Sequence, residues 1–385
     1  MRKLTALLVA VFLPTSLAIA QGTTTLPPID FSGVLFGNYQ WRTDDAARVQ
    51  TAGQALSKFD IGRAYLTFRM PAGEHGSIRI TTDIFNQTPS TYYSGWAVRL
   101  KYGYFQYDFT RNFAGVQGLG AVGRIGMLHT AVIDHEEGFW PRYLTTVPLE
   151  TYLGWASADV GVAGLFTLPK KFGEIYTTIA NGSNYSSGET DRFKDFSARL
   201  SITPFANDSS LLRTLTLSPW YSIGGTASQF VLGGGAQVGP VSDGLKRDRM
   251  GLFLGLKERR LTAGAEVARQ NDEVESGANT VASPRVVTDR KRDVASGFAL
   301  VRPLEMFNAK RRSPWGVHGR FDGYQPKVQD PAAVNPNTHA VILGTFWDVN
   351  ARTTMALDYQ ETKTTTGGAT TFPIKTLYLH WNVSF

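Results

Sequence analysis

The 385-residue chain contains no cysteine, so neither a disulfide framework nor a thiolate site is available to it. Past residue 20 it also lacks any unbroken apolar run long enough for a membrane-spanning helix. A strong charge of one sign is missing too. The formal charge is +7, and losing Arg2 and Lys3 with an N-terminal signal lowers it to +5, which excludes a nucleic-acid-binding signature. Enzyme motifs are equally scarce. HEEGF lacks the second histidine of a zinc-binding HExxH, and neither a GxSxG elbow nor a GxxxxGK[ST] phosphate loop occurs. The 6 histidines are scattered, so no metal and no cofactor is expected.

What is present begins with MRKLTALLVAVFLPTSLAIA, two basic residues ahead of an apolar stretch that closes on Ala18-Ile19-Ala20. This is the pattern of a cleaved secretory signal, 1–20, leaving a domain at 21–385. Beyond it, 39 glycines and 12% aromatics accompany a hydropathy near balance. Such a mixture suits membrane strands, in which only alternate residues meet lipid.

Segments of about ten alternating residues recur sixteen times, starting near 31, 59, 77, 97, 121, 156, 174, 195, 214, 248, 261, 294, 315, 339, 353 and 374. Ala64, Leu66, Phe68 and Met70 oppose Arg63, Tyr65, Thr67 and Arg69. Likewise Val98, Leu100 and Tyr102 oppose Arg99 and Lys101, and Phe196, Ala198, Leu200 and Ile202 oppose Ser197, Arg199 and Ser201. Short connections (71–76, 169–173, 257–260, 350–352) alternate with long ones (43–58, 130–150, 224–247, 271–292, 326–338), although 110–120 and 303–314 run longer than turns. Aromatics gather at segment ends as interfacial girdles: Tyr39, Trp41, Tyr104 to Phe109, Trp155, Trp220, Tyr221 and Trp315. The predicted fold is therefore all-β, a transmembrane antiparallel β-barrel of about 16 strands in the bacterial outer membrane. Its partners are membrane lipid and small polar or anionic solutes, with no role for nucleic acid. The terminal strand IKTLYLHWNVSF alternates through Trp381, Val383 and Phe385 and looks like the signal that such barrels present to their assembly machinery.

FDIGRAYLTFRMPAG (59–73) and GRIGMLHTAVIDHEEGFWPRYLTTVPLE (123–150) resemble the phosphate-selective porin O/P family. The resemblance covers about the first 200 residues and the terminal strand. It implies a homotrimeric sixteen-stranded porin whose long third loop enters the lumen, with basic residues along the pore attracting anions. The chain departs from the family in the acidic cluster Asp134, His135, Glu136 and Glu137, and in having no lysine-rich loop. That leaves the identity of the anion open.

A barrel of this size is too wide for its side chains to fill, so an aqueous channel is expected. Alternation assigns Arg63, Arg69, Arg79, Arg99, Lys101 and Arg124 to one lumen wall, with Arg199 and Arg249 further on. Asp83, Glu266, Asp322 and Asp358 are the carboxylates that would neutralise such residues. Asp134, His135, Glu136, Glu137 and Arg142 fall in the candidate constriction loop at 130–150, where inward folding would set acids opposite the wall. The expectation is a passive, anion-preferring diffusion porin that makes and breaks no bond, phosphate-like anions being among its solutes. Two alternatives stand beside it: a barrel enzyme such as a lipid hydrolase, for which His129, His135 and His339 are the candidate bases, and a structural or adhesive barrel closed to ions.

Overall fold

The computed structural model describes residues 28–44, 57–87, 95–113, 115–228, 244–277, 280–328, 336–366, 369–370 and 373–385. The expected signal, 1–20, lies outside them.

Sixteen long strands follow one another along the chain. The first half comprises β1 (Asp30–Arg42), β2 (Ser57–Pro71), β3 (Gly76–Gln87), β4 (Gly95–Asp108), β5 (Gly120–His129), β6 (Ala158–Thr167), β7 (Gly173–Ala180) and β8 (Asp195–Ile202). The second comprises β9 (Thr216–Ala227), β10 (Gly244–Lys257), β11 (Leu261–Ser276), β12 (Val286–Val301), β13 (Trp315–Val328), β14 (Asn337–Asp348), β15 (Thr353–Thr366) and, after the two-residue β16 (Ala369–Thr370), β17 (Ile374–Ser384). Each long strand pairs antiparallel with its predecessor, and β17 pairs back onto β1. The sheet thus has no open edge, the condition that a lipid surrounding imposes on strands. At the seam Phe385 donates its backbone N–H to Gly33 at 3.0 Å and accepts from it at 2.8 Å.

Alternation sorts the two faces. On β8, Phe196 and Ile202 are exposed outward while Ser197, Arg199 and Ser201 are buried inward. On β10, Met250, Leu252 and Leu254 face out. The barrel is therefore of the outer-membrane type, apolar outside and polar within. Among the described residues no helix is long and apolar enough to cross a membrane; the strands do so.

The connections at the end bearing both termini are short, except that 109–119, 203–215 and 302–314 run longer and each carry a single helical turn, Thr110–Phe113, Leu211–Thr214 and Pro303–Phe307. Elsewhere the strands outrun their predicted ends. β11 continues to Ser276 and β12 begins at Val286, where a loop was expected over 271–292. In this stretch Asn271, Glu273 and Glu275 replace the lipid-facing apolar residues, so the alternation vanishes while the hydrogen-bond ladder to β12 continues.

Two bulges reset which residues face inward. Between β1 and β2 the register shifts after Phe36, skipping Gly62; between β3 and β4 it shifts after Thr81, leaving Lys101 as the extra residue. One inserted residue flips everything beyond it to the other face. Leu100 consequently faces out, whereas both Lys101 and Tyr102 are buried inside, correcting the expectation that Tyr102 meets lipid.

Candidate functional site: a basic wall and an inserted loop

The connection from β5 to β6 leaves the rim and folds into the bore. Its neck is fastened by Thr130, whose backbone N–H donates to the Ser157 carbonyl (3.1 Å) and whose hydroxyl donates to the Ala156 carbonyl (2.7 Å). Within the loop lie two short helices, α1 (Ile133–Glu137) and α2 (Pro148–Leu153). Ile133, Trp140, Leu144, Val147, Leu149 and Leu153 are all buried beneath it. Burying side chains of this size stabilises the seat by roughly 1.5–3 kcal/mol each.

That underside rests on the strands opposite β5. Trp140 meets Phe298 of β12 and His318 of β13 edge-on, with ring centroids 5.3 and 6.2 Å apart. Arg320 of β13 donates to the Thr146 carbonyl (2.7 Å), Gln360 of β15 to the Leu144 carbonyl (3.2 Å), and Tyr152 gives its hydroxyl proton to Asp322 (3.2 Å). Asp322 is also held by Arg320 and Ser296. Nearby, His318 of β13 and His380 of β17 both bring Nε2 to one oxygen of Asp358, at 3.3 and 3.0 Å.

The single turn of α1 divides the acidic cluster, because residues three apart share a face. Ile133 and Glu136 point to the strands beneath. Glu136, 2% exposed, lies beside Glu266 of β11; burial first, and then the neighbouring Glu266 carboxyl, pushes the Glu136 pKa well above the usual carboxylate range. His135 also turns toward that wall, its Nε2 3.0 Å from the Ser218 hydroxyl, and burial followed by the charge of Arg199 pushes it down to about 3. Asp134 and Glu137 take the other side. Asp134 stands 3.5 Å from His129, and Glu137 accepts from Arg142, which also grips both oxygens of Glu150 at 2.6 and 2.7 Å. Glu137, Arg142 and Glu150 thus form one charged cluster within the loop.

Across this gap stand Arg63 and Arg69 of β2, Arg79 of β3, Arg99 and Lys101 of β4, and Arg124 of β5. By register, Arg99 lies level with Asp83, Arg79 with Tyr104 and Arg69, and Arg124 with Gln106. Asp83 accepts two hydrogen bonds from Arg99, at 2.9 and 2.8 Å, and lies 3.5 Å from Arg63. The others have neutral or exposed company. Arg79 donates to Thr81 (3.1 Å) and meets His129 Nε2 (3.1 Å), Arg124 donates to Gln106 (2.9 Å), and Arg69 reaches, among the described residues, only the exposed Asp30 at 3.5 Å.

Aromatic faces support the same cations. Lys101, 3% exposed, sits 4.2 Å from the Tyr65 ring centroid; Arg79 lies 4.7 Å from Tyr102, Arg124 5.3 Å from Tyr104, and Arg99 between Phe85 and Tyr185 at 4.0 and 4.3 Å. A π face stabilises a cation without cancelling its charge. Toward the end bearing the termini, Arg69, Arg79, Arg124 and Tyr104 line a cavity of about 510 Å³.

The remaining candidates lie elsewhere. Arg199 of β8 pairs with Glu174 and lines a cavity of about 350 Å³ with Arg124, the two guanidiniums lying 5.9 and 5.8 Å from the Tyr176 ring centroid, whereas Arg249 of β10 lies by Trp155 on the far side of the loop. Trp155 and Trp220 are buried inside, edge to face at 5.0 Å, rather than in an interfacial girdle. His129 and His135 are interior, whereas His339 stacks on the outward Phe321 at 6.0 Å, so the three do not converge. Trp381 and Phe385 lie on the outer surface over Gly37 and Gly33, where added Cβ atoms would fall 2.6 and 2.2 Å from the rings. Tyr65, Phe85 and Gln106, which lie beneath the wall cations, were not assigned to the site by sequence reasoning, and Tyr104, expected in an interfacial girdle, is buried inside under Arg124. The parity of β2 to β4, read through the bulge, is the signal that places them.

No protein-family model and no curated protein matches the chain. Solved structures do. The outer membrane channel DcaP of Acinetobacter baumannii superposes with a TM-score of 0.62 at 11% identity, covering 94% of this chain and 98% of that one. OmpT of Vibrio cholerae, in its trimer form, gives 0.58 at 8% identity over 94% and 100%. An anion-selective porin from Comamonas acidovorans gives 0.56 at 11% identity over 93% and 99%. At such identities the likeness concerns the fold, and that fold is the sixteen-stranded barrel of the outer-membrane porins.

Proposed function

We propose that the protein is a passive diffusion porin that passes small hydrophilic solutes, prefers anions, phosphate-like anions among them, and catalyses no reaction. The route runs between the inserted loop and the wall formed by β2 to β5. One observation carries the reading: six cations on four neighbouring strands line that gap, and Asp83 is the only buried carboxylate within ion-pair reach of any of them among the described residues. In a narrow bore such a wall raises the local concentration of anions and lowers that of cations. Glu137 and Glu150 opposite it limit how tightly an anion is held and set a transverse field across the gap. In this reading three copies associate through their lipid-facing surfaces, and Trp381, Val383 and Phe385 form the assembly signal.

The test is the reversal potential across a planar bilayer in a salt gradient. The native channel is expected to report anion preference, and Arg79→Glu combined with Arg124→Glu to weaken or invert it, because neither arginine has a carboxylate partner among the described residues. Cation preference in the native protein would remove the anion claim, and a silent bilayer would remove the channel itself.

A further inference from the structure

The wall behind the loop carries a second group of guanidiniums for which the proposed route has no use. Arg247 and Arg249 of β10 and Arg290 and Arg292 of β12 face a cavity of about 550 Å³ between the end of α2 and β9 to β12. Two carboxylates answer these four cations. Asp195 of β8 takes Arg247 at 2.8 and 2.9 Å. Asp272 of β11 is shared, since Arg290 and Arg292 reach the same oxygen at 3.2 and 2.9 Å.

Arg249 is left over. It is 7% exposed, and no ion pair or hydrogen bond among the described residues engages it. Its guanidinium instead lies 5.1 Å from the ring centroid of Trp155. That indole is held by Trp220, which fits because β10 has Gly251 at the point where a Cβ would fall 2.4 Å from the Trp220 ring. Moreover, the Nε of Arg247, Arg249, Arg290 and Arg292 are all buried without an acceptor. Gln270 Oε1 and Asp272 Oδ1 in the same lining are buried without a donor, and Glu273 and Glu275 also line the cavity, so it is Arg249 that singles the cavity out: a buried unpaired cation is costly, and the cavity it lines has room for an acceptor. Planar guanidinium forks select that acceptor's chemistry, because they match the paired oxygens of carboxylates and phosphates.

We infer that the cavity between α2 and β9 to β12 is a binding site for a small oxyanion of carboxylate or phosphate type, with Arg249 as the cation that meets it. The site lies on the opposite side of the inserted loop from the basic wall, and it depends on the channel reading only for the path by which a solute arrives.

The experiment titrates the full detergent-solubilised barrel with inorganic phosphate, and separately with malonate, at low chloride, by calorimetry and tryptophan fluorescence. The expected result is saturable binding of at least one of the two, at least tenfold weaker in Arg249→Gln and partly restored in Arg249→Lys. If Arg249→Gln does not assemble, Arg292→Gln is read in the same way. Absence of saturable binding to the native barrel, or equal binding by the native and substituted barrels, overturns the inference. A barrel that conducts but does not bind sinks this inference alone, and one that binds but does not conduct sinks the proposed function alone.

Discussion

Arg99 directs two hydrogen bonds at a single oxygen of Asp83, and the other oxygen of that carboxylate lies 3.5 Å from Arg63. One fully buried acid thus restrains two of the six wall cations. Asp83→Asn keeps the shape of the side chain and removes its charge, so the wall gains one net positive charge. The reversal potential in a salt gradient should move toward that of a more anion-selective channel. The shift should shrink as salt rises, because the screening length falls from about 10 Å at 0.1 M to about 3 Å at 1 M. No movement, or movement toward cations, would mean that the wall does not set selectivity.

The loop owes its position to its apolar underside. Trp140 is the largest fully buried side chain among the described residues, and its indole N–H is satisfied within the loop by the Thr145 carbonyl (3.1 Å). Trp140→Ala leaves a cavity against Phe298 and His318 and costs on the order of 3–5 kcal/mol of packing. Because that loss falls on the seat of the loop rather than on the strand ladder, the barrel should still close while the loop leaves the bore part of the time. Single-channel recordings should then show a larger and noisier conductance. A quiet channel of native conductance would place the restriction elsewhere.

Gly33 and Gly37 lie under aromatic rings of the terminal strand, yet they should not tolerate a methyl group equally. The atoms nearest a Cβ on Gly33 all belong to the Phe385 ring, which can swing into lipid. On Gly37 it would fall 2.3 Å from the backbone oxygen of Asp60, at the bulge that turns Arg63 inward. Gly37→Ala should therefore lower the yield of heat-modifiable folded barrel and its unfolding temperature, whereas Gly33→Ala should be close to native. Equal behaviour of the two variants would show that the bulge adapts freely.

Strand number, antiparallel order and the inward residues of β2, β3, β8 and β10 were legible because lipid and water impose a period of two on the sequence. Legibility ended wherever another surrounding replaced lipid. Above the bilayer, NDEVES in β11 has no apolar face to display, so its strand read as loop. Lys101 and Tyr102 differ from their neighbours only through a bulge, a backbone event with no composition of its own. Trp155 and Trp220 read as girdle residues because an aromatic at a strand end looks the same whether it faces lipid or, as here, a guanidinium inside the bore. The candidate loop was legible from its length and its acids, but the split between Glu136 and Glu137 required the helical turn of α1. His318, Asp358 and His380 are far apart in sequence, and only barrel closure brings them together.

Two ionisable side chains on the underside of α1 should make the seating of the loop depend on pH from both directions. His135 is pushed from 6.5 down to about 3 in place, so the seat loses stability as pH falls through 6.5, when the detached loop gains a proton that the seated loop refuses. Glu136 behaves in the opposite sense. With its pKa raised from 4.5 by burial and by Glu266, and lowered in smaller part by Arg320 and Arg199, it favours the seated loop at low pH. That contribution fades as pH rises from 4.5 toward the raised value, since the detached loop sheds its proton first. The two slopes oppose each other between 4.5 and 6.5, so loop fluctuation, recorded as current noise, should be least there and grow on either side. Glu136→Gln should flatten the alkaline limb and His135→Gln the acid one, each leaving the other in place. A noise profile indifferent to both substitutions would show that the loop is held by its apolar seat and its other hydrogen bonds, without a contribution from these two side chains.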